Sequence, residues 1–291
     1  MTLTRRAVLA AAMLPVAGAH AGPPRRIAVV DWGLASTLCG LDVVPAGVSE
    51  IDLYNRWVAD PRLPAGVRDI GLRTEPNMEV LVALAPDLIL TTPFSESVRP
   101  MLERIAPTRA FTTFGPGGEP LARASAITRD LGRLLDVAPR AEALLARVDA
   151  AFEDAARRVA AADERPLLLV SFADTRHARV YGANSLFGNV LARLGLANVW
   201  DRPTNDWGFS LATIEDLAAH PEARLFYIDP TPPEVLLSLA GDGLLAHLPV
   251  VRAGRARRLA SAWAFGDVMA AERFAVLLAG AVADRRPPHG G

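Results

Sequence analysis

PRAEALLARVDAAFEDAARRVAAADE, residues 139–164, contains no glycine and no proline after its first residue. Pro139 suits a first helical turn, where its missing N–H costs nothing. Leu144, Val148, Phe152, Ala155 and Val159 recur at helical spacing and draw one apolar stripe. Charged residues take the other faces, with Glu153–Arg157 and Asp154–Arg158 spaced as i,i+4 pairs. Pro166 follows, and Leu167–Phe172 reads as a strand. A helix of about 24 residues is about 36 Å long, too long for an ordinary crossover. With α/β patterns on both sides, it reads as a rigid spacer between two lobes. The plainer alternative is a long surface helix of a single domain.

Working outward, both flanks alternate short β-branched runs with helical patterns, which predicts mainly parallel sheets. Before the helix, strands are expected at Ile27–Val30, Val43–Val48, Val67–Gly71, Asp87–Thr91 and Arg109–Thr113, with Ile51–Pro64 irregular. After it, strands are expected at Leu167–Phe172, Arg179–Gly182, Arg224–Asp229 and Arg257–Ala260. Asn198–Phe209 is read as irregular and Val268–Ala283 as the last helix. Met78–Leu90 and Ile214–Ile228 echo each other: apolar-Glu-x-Leu, helix, proline, apolar strand. The fold class is therefore α/β, two similar lobes with a cleft between them. The expected division is 1–21 signal peptide, 22–138 N-terminal lobe, 139–164 interlobe helix, 165–284 C-terminal lobe and 285–291 disordered tail.

Thr4-Arg5-Arg6, an apolar run to Ala19 and the small-x-small site Ala19-His20-Ala21 read as an export signal. It fits the twin-arginine type; a general secretory signal with two arginines is the other reading. Either implies a periplasmic protein. The formal net charge of the 291-residue chain is −1, and loss of Arg5 and Arg6 makes it more negative. Nothing here favours nucleic acid or an anionic membrane as partner. All basic side chains other than histidine are arginine. The single cysteine, Cys39, admits no internal disulfide and reads as a small core residue.

Catalytic patterns are absent. His177, His220 and His247 share no ligand spacing, there is no G-x-S-x-G elbow, and Gly115-Pro-Gly-Gly118 is neither a dinucleotide nor a Walker loop. No catalytic residue, no protein-ligated metal and no cofactor is expected. What stands out is aromatic placement. Trp32, Trp57, Trp207, Trp263 and Phe265 fall at strand or helix ends rather than at core spacing. Open α/β sheets bind ligands at the carboxyl ends of their strands, and tryptophans there line a site for a bulky ligand. Arg73, in the same class of loop, suits an anionic ligand oxygen, or else a surface ion pair.

Several motifs carry a resemblance. Asp69-Ile-Gly-Leu-Arg-Thr-Glu-Pro-Asn77, Arg104-Ile-Ala-Pro107, Arg165-Pro-Leu-Leu-Leu169, Gly182-x-Asn-Ser-Leu-Phe187, Thr204-Asn-x-Trp-Gly208 and Val251-Arg-Ala-Gly-Arg255 resemble the periplasmic ferric hydroxamate siderophore-binding proteins. These are a branch of the helical-backbone (class III) binding proteins. The resemblance is collinear over nearly the whole mature chain. It implies a shallow cleft between lobes that hardly move, and a monomer that hands its ferric siderophore to an inner-membrane ABC importer. The iron stays inside the siderophore. Arg73 would reach the hydroxamate oxygens, Trp32, Trp57, Trp207, Trp263 and Phe265 would line the cleft, and Asn205 would give a polar contact. Thr91 stands where the family has a cleft tryptophan, Ser95 with Phe94 where it has a tyrosine, and Ala264 where it has an aromatic. The cleft is expected to be wider and less polar on that side. Permease docking falls to Glu215 and, in the first lobe, Glu96, with Glu103 a turn further on. The alternatives are a binder of another bulky chelate such as haem or a corrinoid, and an exported α/β enzyme.

Overall fold

Two five-stranded sheets flank the long helix in a computed structural model that describes residues 22–160 and 165–283. The expected signal peptide, the last residues of the 139–164 spacer and the expected tail lie outside the described residues.

The first half runs β1 (Ile27–Val29), α1 (Trp32–Gly40), β2 (Gly47–Val48), α2 (Ile51–Trp57), β3 (Arg68–Asp69), α3 (Met78–Leu84), β4 (Leu88–Thr91), a 3-10 helix (Pro93–Val98), α4 (Arg99–Leu102), β5 (Thr108–Ala110) and α5 (Pro120–Leu134). Its sheet is parallel throughout, in the order β3-β2-β1-β4-β5. The central strands β1 and β4 are buried along their whole length, as parallel strands covered on both faces must be. Asp31 and Asn77 cap α1 and α3, accepting from the N–H groups of Leu34 and Val80 at 3.0 Å each.

α2 replaces the irregular stretch expected over 51–64. Of its seven residues only Tyr54 is buried, so the segment lacks the apolar stripe that announces a helix. Asp69 caps it from outside, accepting the Ile51 N–H at 2.8 Å.

α6 (Ala138–Val159) is the expected spacer. Its stripe of Leu144, Val148, Phe152, Ala155 and Val159 is buried. Asp154 pairs with Arg157 at 3.4 Å rather than with Arg158. Arg140 donates to the carbonyls of Leu41 and Asp42 in the first half, at 3.3 and 3.2 Å.

The second half runs β6 (Leu167–Phe172), β7 (His177–Tyr181), α7 (Leu186–Arg193), β8 (Phe209–Thr213), α8 (Ile214–Ala218), β9 (Arg224–Ile228), α9 (Pro233–Ala240), a 3-10 helix (Leu244–His247), α10 (Pro249–Arg252), β10 (Ala256–Leu259) and α11 (Val268–Ala283). Its sheet, ordered β10-β9-β6-β7-β8, is mixed: β6, β9 and β10 are parallel, and β7 runs antiparallel to β6 and β8. β8 was not among the expected strands; only Phe209 fell in the stretch read as irregular. β8 is an edge strand with Leu211 73% exposed, so its alternation does not advertise a buried face. Asp149 of α6 accepts from Arg193 of α7 at 2.7 Å, which ties the helix to this half as well.

The two halves share one apolar core. A single cluster joins Ile27 and Val29 of β1, Phe152 of α6, Leu167 and Leu169 of β6 and Phe274 of α11. Among the described residues no helix is long and apolar enough to cross a membrane.

Candidate functional site

In the first sheet the chain turns one way from β1 to β2 and β3, then returns to the other side for β4. The crevice at such a reversal, beyond the carboxyl ends of the strands, is where open α/β sheets take ligands. Four side chains stand there, each two to four residues past its strand: Trp32 after β1, Glu50 after β2, Arg73 after β3 and Phe94 after β4. Trp263, Ala264 and Phe265 reach the same place from the loop after β10.

Between the halves these residues, Glu50 excepted, line a cavity of about 400 Å³. Its rings form a connected belt. Trp263 lies 4.9 Å from Trp32, 5.8 Å from Trp57 and 5.2 Å from Phe265, centre to centre. Phe265 meets Trp207 at 5.5 Å, and Trp207 meets Phe94 edge-on at 6.1 Å. Phe114 stacks behind Trp207 at 5.4 Å and 22°. Such tilted and edge-to-face pairs hold one another in place. The Trp32 ring is also fixed by a hydrogen bond: its Nε1 donates to the Ser49 carbonyl at 2.9 Å.

Arg73 is fixed on three sides. Its guanidinium lies 3.7 Å from the centre of the Trp32 ring. Its Nε donates to Glu50 Oε2 at 2.7 Å. Its carbonyl accepts from Ser95 Oγ at 2.9 Å. Glu50 itself sits in the left-handed region at φ 54° and gives α2 no side-chain cap. A non-glycine residue there is uncommon and strained; here the geometry delivers its carboxylate to Arg73.

Three residues read as cleft contacts are placed elsewhere. Thr91 is fully buried at the end of β4 and does not line the cavity. Ser95, also buried, stands behind the wall as the anchor of the Arg73 backbone. Asn205 builds the turn that presents Trp207: its Oδ1 accepts from the N–H groups of Trp207 and Phe209 at 3.0 and 3.2 Å. Gly208 follows at φ +81°, and a Cβ there would collide with Ser185. Glu215 is exposed in the first turn of α8, beside the capping box of Thr213 and Asp216. Its own backbone N–H and the Thr213 side chain hold its carboxyl below the usual range. Glu96 is exposed and pairs with Arg99 at 3.1 Å.

The second-half wall was not anticipated, because β8 was not. Antiparallel pairing sets Arg179 between Ser171 and Leu211, and Tyr181 opposite Phe209. Alternation then turns Arg179 and Tyr181 to one face and Ala178 and Val180 to the buried core. Ser171, Arg179, Tyr181 and Phe209 line the cavity. Tyr181 Oη lies 3.0 Å from Ser171 Oγ, and burial raises the phenol's pKa. Asp229, also lining, accepts from Arg258 Nε at 2.8 and 2.9 Å. Asp31 at the cavity edge is held above the ordinary carboxylate range by burial, which outweighs the Leu34 N–H and Arg73. Had 209–213 been read as a strand, the alternation of both segments would have exposed this wall.

Cys39 is half-buried rather than core, and burial with Asp267 nearby pushes its thiol up to about 11. Among the described residues no group of three or more His, Cys, Asp or Glu side chains could hold a metal ion.

Comparison with known proteins matches this arrangement. Iron(3+)-hydroxamate-binding protein FhuD of Escherichia coli (strain K12) is 35% identical over 284 residues, 96% of each chain. The crystal structure of FhuD from Vibrio cholerae, described as bound to Fe3+–Desferal, superposes with a TM-score of 0.84 at 28% identity. That match covers 89% of this chain and 98% of the other. The periplasmic catecholate-siderophore binding protein VctP of Vibrio cholerae shares the fold at 20% identity, with a TM-score of 0.67 over 89% and 94% of the two chains. The family described as periplasmic binding protein matches residues 27–262, from β1 to beyond β10. Since that match takes in both sheets, the helix between them and the loops that carry Trp32, Trp57, Arg73 and Trp207, the chain belongs to the periplasmic binding protein family.

Proposed function

We propose that this protein captures a ferric siderophore of the hydroxamate type in the periplasm and delivers it to an inner-membrane ABC importer. The observation that carries the reading is the cavity itself: a belt of tryptophans with one clamped guanidinium, Arg73, at the carboxyl ends of the first sheet's strands. A metal chelate is bulky, apolar at its edges and rich in oxygen acceptors around the metal. Trp57, Trp207, Trp263, Phe265 and Phe94 offer flat apolar area at little entropic cost, and Trp32, buried beneath Arg73, supports the guanidinium. Arg73 keeps its Nη groups for hydroxamate oxygens while Glu50 occupies Nε. The siderophore supplies every ligand to the iron. The similarity to FhuD of E. coli and of V. cholerae supports the hydroxamate class.

The protein acts as a monomeric binder without a catalytic step. Residues 1–21 direct export. Glu215 and Glu96, one on each half, meet the permease as exposed carboxylates.

The test is a titration of the mature protein with ferrichrome and with its iron-free form, followed by tryptophan fluorescence. Saturable quenching by the ferric complex, with much weaker response to the iron-free ligand, is the expected result. No saturable response to any ferric hydroxamate overturns the proposal.

A further inference from the structure

Apart from Arg179, the charged side chains at the cavity have partners: Asp31 accepts from the Leu34 N–H at 3.0 Å and is attracted by Arg73. Arg73 is offset by Glu50 at 2.7 Å, and Asp229 by Arg258 at 2.8 Å. Arg179, in the opposite wall, has no such partner. Its guanidinium lies 5.7 Å from the centre of the Phe209 ring, and among the described residues it makes no ion pair or hydrogen bond. Register turns it to the cleft beside Ser171 and Tyr181.

We propose that Arg179 is an anion subsite of the cleft, and that the preferred ligand is a ferric hydroxamate bearing a free carboxylate. This rests on reading the cleft as a ferric hydroxamate site. Three hydroxamate anions cancel the charge of ferric iron, so the chelate core offers Arg179 no charge to pair with. A neutral ligand that covers Arg179 strips water from an unpaired guanidinium, which is costly. A carboxylate at the edge of the ligand replaces that water with two parallel N–H···O bonds, which the planar fork is shaped to make. Arg73 then holds the iron-bearing end and Arg179 the anionic end, across the aromatic belt.

The experiment compares two ferric complexes with one hydroxamate core: N-succinyl-desferrioxamine B, which ends in a carboxylate, and N-acetyl-desferrioxamine B, which ends in a methyl group. Kd is read from tryptophan fluorescence at low and high salt, for the wild type, Arg179→Leu and Arg179→Lys, with Tm recorded for each. The wild type is expected to prefer the succinyl complex by about tenfold, the scale of one charge-assisted contact, and less so at high salt. Arg179→Leu should lose the preference, and Arg179→Lys should keep part of it. Should Arg179→Leu fail to fold, the Lys variant and the salt dependence still decide. Equal binding of the two complexes by the wild type, or an undiminished preference in Arg179→Leu, overturns the subsite and leaves the siderophore reading intact. Binding of neither complex by the wild type overturns both.

Discussion

Arg73 Nε donates to Glu50 Oε2 at 2.7 Å, with both side chains mostly buried at 21% and 14% exposure. The pair joins the loop after β3 to the loop after β2, and it leaves only the Nη groups for a ligand. Glu50 reaches this position from the left-handed region, where its backbone N–H also donates to the Gly71 carbonyl at 3.0 Å.

Arg73→Ala is therefore expected to weaken ferric hydroxamate binding by about 2 kcal/mol, the scale of a hydrogen bond to a charged group. Arg73→Lys should not restore it, because an ammonium cannot hold Glu50 and the ligand in one plane while stacking on Trp32. Removing Arg73 leaves the Glu50 carboxylate partly buried without its partner, so Tm should fall, and Glu50→Gln in the Arg73→Ala background should recover part of it. Kd and Tm of the two single variants and the double variant check this. Unchanged affinity in Arg73→Ala would remove it from the site.

How much of this was legible in the sequence differs between the two walls. Trp32, Trp57, Trp207, Trp263 and Phe265 stood out because large aromatics at element ends are out of step with any core period. Arg73 lay in a motif. The spacer was legible because Leu144 to Val159 keep helical spacing without a break. Glu50 was invisible, since nothing local marks a residue that will adopt φ 54°. Arg179, Tyr181 and Phe209 were missed for a different reason. Their faces are set by β7–β8 pairing, and a strand whose Leu211 is turned to solvent lacks the burial pattern that announces strands. Asn205 and Ser95 were assigned to the ligand because a motif gives position but not direction; both turn toward backbone.

Asp267 should make stability depend on pH. It caps α11, accepting from the Ala270 N–H at 3.0 Å, and it lies buried against Ser36 and Thr37. Burial raises its pKa from 3.8 to about 6. Geometry agrees: Thr37 Oγ1 is within hydrogen-bond range of both the Gly33 carbonyl, at 2.9 Å, and Asp267 Oδ2, at 2.7 Å. One hydroxyl hydrogen cannot serve both acceptors, but a protonated Asp267 donates to Thr37, which donates to Gly33. A folded pKa above the unfolded one means the group's stabilisation is complete below 3.8 and is lost as pH rises to about 6. The loss is about 3 kcal/mol at most. Asp267→Asn keeps the cap and the volume and removes the titration. Urea unfolding across about pH 4 to 7 should show the wild type's stability declining relative to the variant. Parallel curves would contradict the assignment.

The lobes should move little on binding. α6 has no glycine or proline after Pro139 to serve as a hinge. It is tied to both halves by Arg140 and Asp149, and one apolar cluster runs from β1 through α6 to β6. Small-angle scattering of the free and loaded protein should nearly superimpose, and a clear drop in radius of gyration on loading would contradict this.

Docking is expected to need an acid on each half. Glu215→Arg should abolish uptake of radiolabelled ferric siderophore in a strain carrying the matching importer, and adding Glu96→Arg should deepen the defect. Both changes should leave Kd nearly unaltered, since neither residue lines the cavity. Glu96 also loses its contact with Arg99, but an exposed i,i+3 pair contributes little to stability. Normal uptake by the double variant would sink the docking role while leaving the binding role standing.

The most direct test of the central claim is equilibrium dialysis of the mature protein against radioiron, supplied either as ferrichrome or as ferric citrate. Capture of the intact hydroxamate chelate predicts close to one equivalent of iron retained from ferrichrome, displaced by gallium-loaded ferrichrome, and almost none from ferric citrate. Equal retention from both sources, or none from ferrichrome, would contradict it.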